Sequence, residues 1–187
     1  MSSERFATQT LDEMVPEQRR AAEAILAGPR GGMRGPFKAL LRSPDLADKV
    51  QRVGEYVRFR SSLHPRLNEL GILLVGRYWT AQYEFYAHRE LAEKAGLSPA
   101  ICDAIAEGRQ PEAMDEEERV VWSFGNELLQ TKEVSDATFN AMKEKFGEQG
   151  VIDLVGAMGY YTIVSMVLNV DRVPLPPDAV PLKKLVR

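Results

Sequence analysis

The sequence has one cysteine and two histidines among 187 residues, and this scarcity limits its chemistry. Cys102 cannot form an internal disulfide or a CxxC redox or metal pair, so a reducing cytoplasm suits the chain. The sequence also lacks a basic N-terminal region followed by an apolar run, and it lacks the roughly 18 consecutive apolar residues of a membrane span. We therefore expect a cytoplasmic protein that has no membrane partner.

The chain has 24 Lys and Arg and 27 Asp and Glu, so its net charge is −3 and neither sign of charge dominates. The arginines are scattered among acids, so we expect no nucleic-acid partner. With 44% hydrophobic residues, the chain is long enough to bury a core without disulfides or structural metals. We predict one domain over residues 1–187, with a loosely held polar tail at 1–14 and a proline-rich tail at 173–187.

Alternating patterns typical of strands are absent, so the predicted fold class is all-α, a compact multi-helix bundle. Caps, prolines and glycines predict helices at 16–27, 45–60, 65–79, 80–95, 99–107, 115–130, 136–146 and 148–169. The last two are separated at Gly147. The apolar pair over 65–95 is the predicted core, and the proline-rich tail is predicted to run extended over its own or a neighbouring subunit.

The stretch 29–36 is rich in glycine but lacks the GxxxxGK[ST] order of a phosphate-binding loop. We interpret it as a plain loop, with a lid beside a site as the alternative. Cys102 is predicted to be a packing residue rather than a nucleophile, because no histidine lies near it in sequence.

Three ionisable residues lie in the most apolar part of the chain. Glu84 and His88 are four residues apart on the apolar stripe of the 80–95 helix, and Glu69 lies among apolar residues of the preceding helix. An acid/base pair and a purely structural pair are equally open on this evidence. Burial and pairing shift the two pKa values in opposite directions, so the protonation state at rest is also open.

These residues carry a resemblance to a known family. The runs Leu67-Asn-Glu69-Leu-Gly-Ile-Leu-Leu-Val-Gly-Arg77-Tyr-Trp, Ala81-Gln-Tyr-Glu84-Phe-Tyr-Ala-His88 and Ala95-Gly96-Leu-Ser resemble the carboxymuconolactone decarboxylase family, which includes the alkyl hydroperoxidase branch. The resemblance covers roughly residues 30 to 110. It implies an all-α homo-oligomer (trimer, hexamer or dimer) with its site near subunit contacts.

The chain departs from the peroxidase branch at both sulfurs. In that branch a glutamate is followed by the pattern CxxCxxxH. When the pattern is aligned with this chain, its glutamate falls on Glu69 and its histidine on His88. Ala81 and Glu84 stand where the two cysteines would be. A thiol peroxidase needs a thiolate to attack the peroxide and a second thiol to resolve the sulfenic acid. We therefore do not expect thiol peroxidase activity, although family naming can still attach that label.

The resemblance then favours the decarboxylase side, a lyase chemistry that needs no metal or organic cofactor. It implies cofactor-independent decarboxylation or proton transfer on an acidic small molecule, a lactone-like or aromatic-degradation acid. His88 would donate or shuttle the proton, Glu84 would orient it, and Glu69 would be a second acid/base or orienting carboxylate.

Three further residues are candidates for substrate binding: Arg77, Tyr83 and Gln82. Arg77 is expected either to clamp the substrate carboxylate or to pair with Glu69. Two other interpretations of the whole chain stay open. One is a catalytically silent oligomeric domain, and the other, less favoured, is a metal site formed by Glu69, Glu84 and His88.

Overall fold

The computed structural model describes residues 4–29 and 31–185, and it contains helices but no strand within those ranges. The α-helices are α1 (Pro16–Ala27), α2 (Phe37–Leu40), α3 (Pro44–Phe59), α4 (Pro65–Tyr78), α5 (Gln82–Lys94), α6 (Pro99–Ala106), α7 (Glu116–Thr131) and α8 (Asp136–Asp171). A 3₁₀ turn at Leu11–Glu13 precedes them. The predicted all-α class is confirmed.

Local signals set the helix starts. Proline occupies the first turn of α1, α3, α4 and α6, where its missing N–H costs no hydrogen bond. Asp115 caps α7 by accepting from the Glu118 N–H at 2.8 Å, and the Glu118 carboxylate accepts from the Asp115 N–H at 2.8 Å. Arg66 of α4 also binds both of these acids, so the acidic run caps a helix and joins α4 to α7.

Helix α8 is interrupted at Gly147, whose φ of 69° and ψ of 176° are not helical. The break is where the sequence predicted it, because only glycine adopts that backbone conformation readily. By length and composition α8 is also the one described helix that could cross a membrane. The core helix of a soluble protein has the same length and apolar composition, and 56% of the most apolar window of α8 is buried inside the fold.

Helix α4 lies at the centre, in contact with α5, α6, α7 and α8, and every residue from Leu67 to Arg77 is buried. Gly71 lets α8 approach closely, because a Cβ there would lie 2.7 Å from Leu154 Cδ1. At Gly76 a Cβ would lie 3.5 Å from the backbone nitrogen of Phe85, which is an ordinary contact distance and shows that α5 packs directly on α4. The buried face of α5 is therefore held against α4.

The segments near both ends of the described chain are tied to the helices. The N–H groups of Arg5 and Phe6 donate to Asp171 Oδ1 at 3.0 and 2.8 Å, so residues 4–14 are held more firmly than their composition predicts. The C-terminal segment is extended over its own chain, as predicted: the side chain of Gln82 exchanges two hydrogen bonds with the backbone of Leu182, at 2.8 and 3.0 Å.

Some apolar residues at helical spacing are on the surface. Leu46 and Val53 of α3 are each 49% exposed, and Val155 of α8 is 40% exposed. These side chains follow the helical period, but no other described element covers that side of α3 and α8. Helical spacing identifies an apolar stripe and not what it packs against.

Candidate functional site

The imidazole of His88 lies between two carboxylates in the interior. His88 Nδ1 is 2.6 Å from Glu69 Oε2, and His88 Nε2 is 3.1 Å from Glu84 Oε1. Glu69 comes from α4, and the other two residues lie one turn apart on α5, so the close packing of these helices assembles the triad. All three side chains are buried.

The two carboxylates decide the protonation state of His88. Burial alone would lower the pKa of the ring, but the charges of Glu84 and Glu69 and the hydrogen bond to Glu69 raise it to about 9. His88 is therefore an imidazolium at neutral pH.

The two glutamates are not equivalent. Glu69 Oε2 forms a short hydrogen bond with the ring. Glu84 Oε1 is within ion-pair distance of Nε2, but the N–H does not point at it well enough for a hydrogen bond, and no other donor in the described residues reaches it. Glu69 therefore makes the contact expected of an orienting carboxylate, which was one of its two predicted roles, whereas Glu84 does not make the hydrogen bond that its predicted orienting role needs.

A cavity of about 550 Å³ adjoins the triad. Glu84 and His88 line it from α5, and the glycine-rich loop lines it from the opposite side with Gly31, Arg34 and Gly35. Gly31 and Gly35 have φ of +68° and +70°, which explains the need for glycine there. The predicted loop is present at 31–36, where the chain is not helical. Arg30 lies outside the described residues.

Two tyrosines of α8 complete the inner wall. The Tyr161 ring meets the His88 ring edge to face, with centroids 4.6 Å apart, and Tyr160 packs on Tyr161 at 5.0 Å. Burial, followed by the negative charge of Glu84, raises the pKa of Tyr161 well above its ordinary value, so the phenol stays neutral. The sequence analysis did not single out either tyrosine.

Of the three residues predicted to bind substrate, Tyr83 lines this cavity. Gln82 holds the C-terminal segment instead, and Arg77 donates to the carbonyl of Lys183 at 2.8 Å and lines a different cavity of about 430 Å³. The arginines that line the His88 cavity are Arg34 and Arg58.

Metal and thiol chemistry find little support in the part of the chain that the structure describes. No group of three or more His, Cys, Asp or Glu residues there is arranged to hold a metal ion. Cys102 is fully buried, and burial raises its pKa to about 11, which keeps it a thiol.

Among the solved structures with this fold is an uncharacterized peroxidase-related protein from Ralstonia eutropha JMP134 that has an alkylhydroperoxidase AhpD core. It superposes with a TM-score of 0.75 at 14% sequence identity, over 95% of this chain and 95% of that chain. A second is a protein of unknown function from Agrobacterium tumefaciens, a candidate antioxidant defence protein AhpD. It gives a TM-score of 0.66 at 17% identity, over 78% of this chain and 100% of that chain.

No protein-family model and no curated protein matches the sequence. The two solved structures show that the chain has the AhpD-like helical fold. The resemblance seen in its residues is thus confirmed at the level of the fold. A shared fold at these identities does not carry an activity with it.

Proposed function

We propose that this chain is a cofactor-independent acid/base enzyme of the carboxymuconolactone decarboxylase and AhpD-like family. It would catalyse decarboxylation or proton transfer on an acidic small molecule, such as a lactone-like or aromatic-degradation acid. The observation that carries this proposal is the buried triad of Glu69, His88 and Glu84 beside a cavity. Buried ionisable groups with shifted pKa values cluster at functional sites.

The proposed chemistry follows from the charge on His88. When a substrate loses CO₂, the C–C bond breaks and its electron pair stays on the substrate carbon. His88, held protonated by a pKa of about 9, delivers a proton to that carbon. Glu69 keeps the resulting neutral imidazole in place through Nδ1, and solvent returns the proton.

Glu84 is suited to the opposite transfer. Its Oε1 has no hydrogen-bond donor within the described residues, and Glu84 lines the cavity with His88, whereas Glu69 does not. A substrate O–H or acidic C–H placed against this oxygen would find a general base. The same pair thus supports proton abstraction followed by proton return, which is why the proposal includes both reaction types.

The peroxidase wording in the names of the two similar structures is not extended to this chain. Ala81 and Glu84 occupy the positions of the two thiols in the peroxidase pattern, and Cys102 is a buried thiol with no second cysteine to resolve a sulfenic acid. A thiol peroxidase cycle has no nucleophile here.

A homo-oligomer in the cytoplasm is part of the same proposal, without a nucleic-acid or membrane partner. Exposed apolar side chains recur at helical spacing along α8, at Ile152, Val155, Ile163, Met166 and Val170. A stripe of this kind is typical of a surface that packs against another subunit.

The test is turnover of a panel of lactone acids and hydroxylated aromatic acids by purified protein, followed by CO₂ release and absorbance. His88→Ala should lower the rate by about 10²–10⁴-fold, the usual contribution of a general acid. His64→Ala is the matched control, because His64 is an exposed residue at the start of α4. Full activity in His88→Ala would refute the assignment.

A further inference from the structure

Two arginines beside the triad lack a polar partner. Arg58 of α3 packs its guanidinium on the Phe59 ring at 5.2 Å and forms no ion pair or hydrogen bond with any described residue, and neither does Arg34 of the glycine-rich loop. By contrast, Arg66 binds three acids and Arg89 binds two. Both unpaired arginines line the cavity that contains His88.

Unpaired guanidinium groups at a cavity wall favour an anionic ligand. A planar fork of N–H donors matches a carboxylate in both geometry and charge. Arg58 is half-buried, so its charge is less screened by water than that of a fully exposed arginine. Its charge also acts on Tyr161, in the inner wall.

At the triad, the same cavity presents a hydrogen-bond acceptor instead of a cation. Glu84 is 4% exposed, and its Oε1 has no hydrogen-bond donor in the described chain. A buried carboxylate oxygen of this kind is stabilised by a ligand that brings an O–H or N–H group. The cavity is thus cationic at the arginines and accepts a hydrogen bond at Glu84.

Aromatic rings form much of the remaining wall. Tyr83 and Tyr86 come from α5, Tyr160 and Tyr161 from α8, and Phe37 from α2. Such rings favour a flat ligand that they can contact face to face or edge to face. A volume of about 550 Å³ lies within the range of small-molecule sites and leaves room for one ring with its substituents.

We propose that this cavity binds a planar aromatic carboxylate that also carries a hydroxyl or N–H group. The carboxylate lies against Arg58 and Arg34, and the hydroxyl or N–H donates to Glu84. This inference rests on the proposed function in using the same cavity, and it adds the substrate class and the residues that recognise it. It assigns the carboxylate to Arg58 and Arg34, whereas the sequence had pointed to Arg77.

The experiment is equilibrium binding by calorimetry, with 3- and 4-hydroxybenzoate as probes. Benzoate lacks the donor, and the corresponding hydroxybenzamides lack the charge. We expect at least one hydroxybenzoate to bind, with benzoate and the matching hydroxybenzamide each weaker by about tenfold or more, the usual effect of losing one hydrogen bond to a charged group.

Variants of the two arginines test whether they bind the carboxylate. Arg58→Gln and Arg34→Gln should each weaken hydroxybenzoate binding by about tenfold and leave hydroxybenzamide binding unchanged. Arg52→Gln is the matched control, because Arg52 is an exposed residue of the same helix, paired with Asp48, and its loss changes the net charge equally. Thermal melts check that each variant is folded.

The inference is overturned if neither hydroxybenzoate binds, or if binding is the same in wild type and both arginine variants. Its failure is distinguishable from that of the proposed function. Turnover that depends on His88 but not on Arg58 or Arg34 would refute this inference alone. Hydroxybenzoate binding that depends on the arginines, without turnover of any acid in the panel, would refute the proposed function alone.

Discussion

Titration of His88 should make the stability of the fold depend on pH between about 6.5 and 9. The ordinary pKa of a histidine is 6.5, and in the folded protein the pKa of His88 is about 9. Below pH 6.5 both the folded and the unfolded chain carry the proton, and the stabilisation is fully present. As the pH rises towards 9 the unfolded chain releases the proton first, so the free energy of unfolding decreases.

The size of this effect follows from the two pKa values. Each pH unit between them corresponds to about 1.4 kcal/mol, so the interval from 6.5 to about 9 gives roughly 3 kcal/mol. A domain of this size is stabilised by about 5–15 kcal/mol in total. The pH dependence should therefore be large enough to measure by urea unfolding at pH 6, 7.5, 9 and 10.

Two variants and one spectroscopic signal make the assay specific. His88→Gln should lose the decrease in the free energy of unfolding between pH 7.5 and 9, and His64→Gln measures any contribution from the other histidine. Because the chain has two histidines, NMR should show two imidazole Hε1 titrations, and the one retained in His64→Gln should have its midpoint near 9. A midpoint below 6.5 for His88, or an equal slope in His88→Gln, would refute the ion-pair reasoning.

Three further predictions concern packing and the chain ends. Gly71→Ala should destabilise the fold by about 1–3 kcal/mol in urea unfolding, because the new Cβ would lie 2.7 Å from buried Leu154. Asp171→Ala should cost about 1.5–3 kcal/mol and speed proteolysis within residues 4–14, since it removes the acceptor for the N-terminal backbone. Cys102 should react with a thiol reagent slowly at pH 8 in the native protein and quickly in urea, and equal rates would contradict its burial.

Features that depend on residues close together in the chain could be predicted from the sequence. Capping residues and prolines placed the helix starts to within a residue or two, and Gly147 placed the break in α8. The contact between Glu84 and His88 was also predictable, because four residues along a helix bring two side chains together. Glu69 was a possible third member because it lies among apolar residues of the preceding helix, and the packing of α4 on α5 makes it the closest partner.

Features set by tertiary packing were not predictable in the same way. One expectation was that Arg77 pairs with Glu69. The two residues are eight positions apart, so their side chains point about 80° apart around the helix axis. The Arg77 guanidinium binds the C-terminal segment. Arg58 reaches the cavity from α3, and no local signal marks it. Tyr161 did carry a signal: it shares the stripe of Leu154, Met158 and Ser165 at spacings of four, three and four residues.

The triad can also be tested for whether it serves chemistry or packing. A buried ion pair seldom stabilises a fold more than well-packed apolar side chains do, because removing the charges from water costs several kcal/mol for each ion. This triad buries two glutamates against one histidine, and one of its oxygens lacks a donor in the described chain. If it exists for chemistry, it should cost stability.

Replacing all three residues, as Glu69→Met, Glu84→Met and His88→Leu, should then leave the free energy of unfolding unchanged or raise it by about 1–4 kcal/mol. His88→Leu alone should lower it by about 3–5 kcal/mol, because two buried carboxylates lose their cation. Urea unfolding at pH 7 measures both variants. A triple variant several kcal/mol less stable than wild type would mean that the triad specifies core packing, and the catalytically silent oligomer would become the better account of this protein. A stable triple variant without turnover would mean that the charges are kept, at a cost in stability, for the proton transfer that His88 and Glu84 are placed to perform.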